Sequence, residues 1–224
     1  MAWRRVAAAA AVASLAVAAA SPVCAQVPAK KSGARASTAA SAVAPADPGA
    51  AAYAERFRSV CAACHGADGR SDVAGVPVLA GQPALYTITQ LFLFREGRRN
   101  NEAMVTLAKQ MKDADLRGFS DYIGTLPPVP APAPAAAPEA SRMVKGMALA
   151  QQHKCTYCHG DNLAGGQQVP RIGGQKHDYV RQALHGFKSG DRPGYTRAMT
   201  EALSQVPIDD LDVLAYYVAN FTAK

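Results

Sequence analysis

No stretch of this chain alternates apolar and polar residues for the length of a useful β-strand, which argues against a sheet-based core. The same lack removes the βαβ setting in which thioredoxin-like redox motifs sit. Charged side chains form no dense run, and aromatic residues are not interleaved with them. A nucleic-acid-binding face is therefore not indicated, despite a formal net charge of +7. Long apolar runs are scarce too. The longest, Val6 to Ala20, is interrupted only by Ser14 and is shorter than the roughly 20 residues needed to cross a bilayer. Cysteine is sparse: of 5 residues, four fall into two pairs and Cys24 is left over.

The apolar run follows Arg4 and Arg5 and precedes Val23-Cys24-Ala25, the pattern of a secretory signal peptide over residues 1–25. Ser21-Pro22-Val23 is a poor lipoprotein box, so Cys24 is expected to leave with the leader. The expected location is the periplasm, with no integral membrane segment in the mature chain and membrane association left open. Residues 26–49, rich in Ala, Ser, Pro and Gly, read as a flexible spacer. Residues 127–141, PPVPAPAPAAAPEAS, read as a Pro/Ala linker favouring extended polyproline II. Two segments remain, 50–126 and 142–224. Units this small bury little apolar surface and usually need a staple.

Such a staple is what the cysteines suggest. The pentapeptides CAACH, Cys61 to His65, and CTYCH, Cys155 to His159, both have the C-x-x-C-H form of covalent c-type haem attachment. Cys61 and Cys64, and again Cys155 and Cys158, stand on one helical turn, so each pair can add to the two vinyl groups of one haem. His65 and His159 then face the iron as axial ligands. Zinc ribbons place their C-x-x-C pairs roughly 15–20 residues apart, far closer than here. Plain disulfides would not explain the repeated histidine.

The two segments repeat each other. Val76-Pro77 with Leu79-Ala80-Gly81-Gln82 matches Val169-Pro170 with Ile172-Gly173-Gly174-Gln175 at an offset of 93. Tyr86, Phe94 and Gly97 match Tyr179, Phe187 and Gly190 at the same offset. At an offset of 95, Met104, Leu116 and Tyr122 match Met199, Leu211 and Tyr217. Repetition of this extent implies two tandem copies of one fold. Each copy reads as helical. Tyr53, Phe57, Val60 and Cys64 recur at helical spacing before the first motif, and Met143, Met147 and Ala150 before the second. Ala84 to Glu96 and Asp178 to Lys188 read as middle helices ended by Gly. Leu116, Phe119 and Ile123, and Leu211, Leu214, Ala215 and Val218, mark the last helices.

A low-spin haem needs a ligand on its distal side, and the thioether of Met raises its potential. Met199 is the only Met after the second motif; His177 and His185 are its rivals. In the first copy Met104 is favoured over Met111 because it aligns with Met199, and Met111, Met143 and Met147 read as core filler. Carbonyls near Pro77 and Pro170 are candidate acceptors for the ligand imidazoles, with loop shaping an even alternative. Tyr86 and Tyr179 either touch haem propionates or pack, and Arg99 and Arg197 either pair with propionates or are solvated. His153 is read as a surface side chain.

The motif pair, the VPVLAGQ and VPRIGGQ loops and the late NNEAM and YTRAM segments carry a resemblance over about residues 50–224. The chain resembles the two-domain dihaem class I cytochromes c of bacterial periplasms, the c-four type. That resemblance implies all-α domains, each wrapped around one covalently bound haem, with His/Met ligation at both irons and copies packed about a pseudo-twofold axis. It also implies that the carbonyls of Pro77 and Pro170 accept from the ligand histidines. The long linker departs from the pattern and leaves the tightness of docking open.

The expected activity is that of a periplasmic electron carrier with two haem c groups and their iron, not of an enzyme. Expected partners are a quinol–cytochrome c reductase or periplasmic dehydrogenase as donor, and a terminal oxidase or a reductase as acceptor. Arg95, Arg98, Lys109, Arg181 and Lys188 are candidates for steering an acidic partner. The alternatives are a cytochrome subunit of a larger dehydrogenase and a dihaem oxidoreductase enzyme. The enzyme reading needs an open or unusual iron site, which a Met in register in both copies and the lack of further mature cysteines disfavour.

Overall fold

Apolar residues at helical spacing must be covered by something, and here each copy covers them with its own last helix. A computed structural model of the chain describes residues 48–134, 136–194 and 196–222. The expected leader, Cys24 and nearly all of the expected spacer lie outside the described residues. Among those described there is no strand, and no helix is long and apolar enough to cross a membrane.

The first copy runs α1 (Pro48–Arg56), a π-helical turn (Phe57–Cys61), α2 (Ala62–His65), α3 (Ala84–Arg95), α4 (Glu102–Ala108) and α5 (Asp113–Thr125). The second runs α6 (Ala140–Gln152), α7 (Cys155–His159), α8 (His177–Ser189), α9 (Ala198–Leu203) and α10 (Ile208–Ala219). In each, the last helix packs against both the first and the middle helix: α5 on α1 and α3, α10 on α6 and α8. Each copy has its own core. Phe57, Leu91, Phe119 and Ile123 belong to one, and Leu149, Leu163, Leu211 and Leu214 to the other.

Two expected core positions turn outward. The π turn inserts one residue ahead of the first motif and shifts the apolar face. Phe57 stays fully buried and Cys61 and Ala62 follow it onto the core, while Val60 is 42% exposed. In α6, Met143 packs on the core but Met147 is 44% exposed, and Gly146 and Leu149 take the buried face instead. Two short helices, α4 and α9, had no sequence counterpart. α4 is capped by Asn101, whose side-chain oxygen accepts from the Met104 N–H at 3.0 Å.

The first and last helices are tied alike in both copies. Asp115, early in α5, accepts from Arg56 at 2.5 Å, and Asp210, early in α10, pairs with Lys145 at 3.7 Å. Where these helices cross, each copy sets a glycine against a tyrosine, with the roles exchanged. A Cβ on Gly118 of α5 would lie 2.0 Å from the Tyr53 ring of α1. A Cβ on Gly146 of α6 would lie 2.3 Å from Cβ of Tyr217 on α10.

The Pro/Ala segment is docked. The Ala131 N–H donates to the Gly174 carbonyl at 2.7 Å, and Arg171 Nη1 donates to the Val129 carbonyl at 3.3 Å. The copies also bond to each other directly. The Gly75 N–H donates to Asp178 at 2.5 Å, and Lys176 donates to the Val73 carbonyl. The docking left open by the sequence is therefore close.

Gly146→Ala is expected to destabilise the protein by about 1–3 kcal/mol through overpacking against Tyr217, despite the better helix propensity of Ala. Gly124→Ala, whose new methyl would meet only Ala84 Cβ at an ordinary 3.5 Å, is expected to be neutral or slightly stabilising. Denaturant unfolding of the two variants checks the contrast.

Candidate functional site

Both pentapeptides form a single helical turn closed by a glycine. Gly66 and Gly160 have φ of 77° and 76°, where a side chain would be strained, and their N–H groups bond back to the Ala62 and Thr156 carbonyls at 2.9 Å. The chain turns sharply there, leaving His65 and His159 at the helix end with their rings directed into the copy. They are 7% and 6% exposed. The approach differs: the π turn leads into the first motif, while Lys154 at φ 55° breaks α6 from α7 before the second.

Each imidazole is held from one side. His65 Nδ1 donates to the Pro77 carbonyl at 3.1 Å and His159 Nδ1 to the Pro170 carbonyl at 3.0 Å. Neither Nε2 has a hydrogen bond among the described residues. Burial lowers both histidines from their ordinary value, with the proline carbonyl acting in the opposite direction. A neutral imidazole with Nδ1–H fixed and Nε2 free is the form that ligates iron.

The loops carrying these carbonyls are pinned alike. The Leu79 and Ala80 N–H groups both donate to the Gly69 carbonyl, at 2.7 and 3.2 Å. The Ile172 and Gly173 N–H groups both donate to the Leu163 carbonyl, at 2.9 and 3.0 Å. The buried Ser71 hydroxyl adds a bond to the Cys64 carbonyl at 2.8 Å.

None of the four motif cysteines is joined in a disulfide. In each pair the first, Cys61 or Cys155, is partly buried, and the second, Cys64 or Cys158, is exposed. Burial pushes the Cys61 thiol up to about 11, with Arg56 pulling the other way, and raises Cys155 as well. No group of three His, Cys, Asp or Glu side chains among the described residues is arranged to hold a metal ion, so the zinc alternative finds no support. Two unpaired thiols flanking a half-anchored neutral imidazole do fit a covalently tethered haem.

Met104 sits at the third position of α4 and Met199 at the second of α9, each partly buried against the core of its own copy. Of the rivals, Met111 is buried in the first core. His177 lies edge-on to the Tyr216 ring at 6.2 Å, and His185 Nε2 bonds to Asp212 at 2.9 Å.

Of the two readings left open for Arg197, the structure shows the solvated one, and Arg197 is not the repeat counterpart of Arg99. It lies on the surface, 85% exposed, paired with Glu201 at 3.4 Å. Arg192 takes the corresponding place, since Arg99 stacks on Phe94 at 4.4 Å and Arg192 on Phe187 at 4.9 Å, and those rings match in the repeat. Sequence reading passed over Arg192, although the offset of 93 pairs it with Arg99. His153 is not a surface side chain: it is half-buried, and its Nε2 is enclosed without a partner.

Arg99 and Arg192 converge from the two copies. Arg99 Nη2 and Arg192 Nη2 each lie 3.0 Å from the Tyr179 hydroxyl oxygen, and no carboxylate pairs with either guanidinium among the described residues. Burial tends to raise the Tyr179 phenol, but the two cations outweigh it and bring it down to about 7. Tyr86 is pushed up to about 12, by burial and then by Tyr179. Two cations thus surround one phenol at the seam between the copies.

A cytochrome c family model matches residues 46–127. Over 164 residues the chain is 34% identical to the thiosulfate dehydrogenase electron acceptor of Thiomonas intermedia (strain K12), covering 65% of this chain and 76% of that protein. It is 34% identical over 167 residues to cytochrome c4 of Thiocapsa roseopersicina, covering 68% of this chain and 84% of that protein. The solved structure of reduced recombinant cytochrome c4 from Pseudomonas stutzeri matches with a TM-score of 0.67 at 25% identity, over 77% of this chain and 98% of that one.

Arg192→Gln is expected to lower stability by about 1–3 kcal/mol, because it removes a charged donor to Tyr179 at the seam. Arg197→Gln should change it by less than about 0.5 kcal/mol, as for other exposed pairs. Guanidinium unfolding of both variants measures the difference.

Proposed function

The chain belongs to the cytochrome c4 family and carries two haem c groups, and on that premise we propose how its residues serve electron transfer and where the protein works. It is a dihaem electron carrier. The observation that carries the reading is the matched pair of buried imidazoles, each fixed at Nδ1 by a proline carbonyl. When bound, each haem supplies one-electron chemistry at its iron.

Cys61 and Cys64 tether one haem and Cys155 and Cys158 the other, through thioethers. His65 and His159 supply the proximal ligands, held in one orientation and one tautomer so that little in the protein need rearrange between oxidation states. Met104 and Met199 supply the distal thioethers. Their register in the repeat and their place against each core support this, as does the engagement of Met111, His177 and His185 elsewhere. Arg99 and Arg192, with Tyr86 and Tyr179, receive the propionates at the seam.

The protein works in the periplasm, exported by its leader, and passes electrons between redox proteins without transforming a substrate itself. Thiosulfate dehydrogenase is one specific donor class, favoured by the name of the Thiomonas relative. A quinol–cytochrome c reductase remains the general donor, and a terminal oxidase the acceptor. Of the basic residues considered for steering, Arg95 pairs with Asp113 and Glu96, Arg181 pairs with Asp212, and Lys188 donates to the Leu203 and Ser204 carbonyls. Steering of an acidic partner therefore falls more to exposed Arg98 and Lys109, whose side chains have no such bond among the described residues.

Met104→Ala is expected to remove the far-red thioether-to-iron band of ferric protein at the first site, which becomes high-spin or takes up an added ligand. The second site keeps its spectrum. Potentiometric titration with optical and magnetic circular dichroism detection makes the comparison; two unaltered spectra would remove Met104 as a ligand.

A further inference from the structure

The two copies grip each other through a pair of glutamines that repeat at the offset of 93. Gln175 of the second copy accepts from the Val78 N–H at 2.8 Å and donates through Nε2 to the Val78 carbonyl at 2.9 Å. Gln82 of the first copy accepts from the Arg171 N–H at 3.2 Å and donates to the Arg171 carbonyl at 2.7 Å. Both glutamines are 5% exposed. Their orientation is fixed, because a backbone N–H can only donate and a backbone C=O can only accept.

What these amides grip matters more than that they grip. The Val78 N–H belongs to the same peptide group as the Pro77 carbonyl, which accepts from His65. The Arg171 N–H belongs to the same peptide group as the Pro170 carbonyl, which accepts from His159. Each ligand imidazole thus heads a chain that runs Nδ1–H, proline carbonyl, the amide N–H across that peptide bond, and then a glutamine oxygen of the opposite copy.

Hydrogen bonds in such a chain polarise one another, by roughly 10–30% per bond, and burial preserves the effect. An acceptor on the N–H makes the proline carbonyl more negative, which draws harder on Nδ1–H and leaves Nε2 more basic. A more basic ligand favours ferric over ferrous iron.

Resting on the assignment of His65 and His159 as iron ligands, we propose that Gln175 and Gln82 are cross-copy positioning residues. Gln175 sets the basicity, and so the reduction potential, of the site at His65. Gln82 does the same for the site at His159. The interface is then a reciprocal tuning device, in which each copy holds the controlling group of the other.

The test uses the full dihaem protein with Gln175→Leu and Gln82→Leu made singly. Redox titration is followed by the NMR signals of the haem methyl groups, assigned to each copy through Met104→Ala and Met199→Ala. Gln175→Leu should raise the midpoint at His65 by about threefold in the ferric-to-ferrous ratio at fixed potential, roughly 28 mV at ~59 mV per tenfold. The His159 midpoint should hold still. Gln82→Leu should give the mirror image, and amide exchange should quicken at Val78 in the first variant and at Arg171 in the second.

Gln175→Glu keeps the acceptor for Val78 and should return the His65 midpoint to, or below, that of the parent protein. Equal shifts at both sites, a shift in the copy that bears the substitution, no shift, or a Glu variant as high in potential as Leu would each overturn the proposal. A lack of His/Met spectra in the unsubstituted protein is a separate result. It would remove the ligand assignment, and it is read from the same samples before any variant is compared.

Discussion

The structure depends on a buried hydrogen bond made twice, from a histidine Nδ1–H to a proline carbonyl. Burial of an imidazole is unfavourable unless its polar atoms are engaged, and here one nitrogen is engaged by the protein while the other has no hydrogen bond among the described residues. Everything local serves that arrangement. The glycine after each motif turns the chain, a single carbonyl in each loop takes two N–H groups to hold the proline in place, and the last helix closes the core beneath. Because proline has no N–H of its own, the loop at that point offers only its carbonyl.

Much of this was legible in the sequence because the chemistry is local. Attachment demands thiols two residues apart with a histidine next to them, so Cys61 to His65 and Cys155 to His159 declare themselves without tertiary information. The repeat doubled the signal and singled out Pro77 with Pro170 and Met104 with Met199. The last helices were also plain, since Leu116, Phe119 and Ile123 carry an unbroken apolar stripe, and all three are buried.

What the sequence hid has physical causes. One inserted residue in a π turn rotates the apolar face, so periodicity alone placed Val60 inside. Methionine is common on both core and surface, and nothing in the pattern separated Met143 from Met147. α4 and α9 are too short for a periodic signal. The docking of the linker rests on bonds between residues some forty positions apart, and that of the two copies on bonds between residues some ninety apart. A Pro/Ala composition suggests extension but cannot reveal that Ala131 bonds to Gly174. Gln82 and Gln175 were visible only as repeat markers, because their role arises from a partner in the other copy.

The exchanged glycine and tyrosine at the helix crossings bear on how a duplicated chain avoids assembling itself wrongly. Tandem copies of one fold risk pairing the first helix of one with the last helix of the other. Here one of the wrong pairings, α1 on α10, is mismatched in volume. Tyr53 needs the gap above Gly118, but at the offset of 95 α10 presents Val213 in that place. A mismatch of this kind disfavours one wrong couple, and it needs no difference in hydrophobic pattern between the halves.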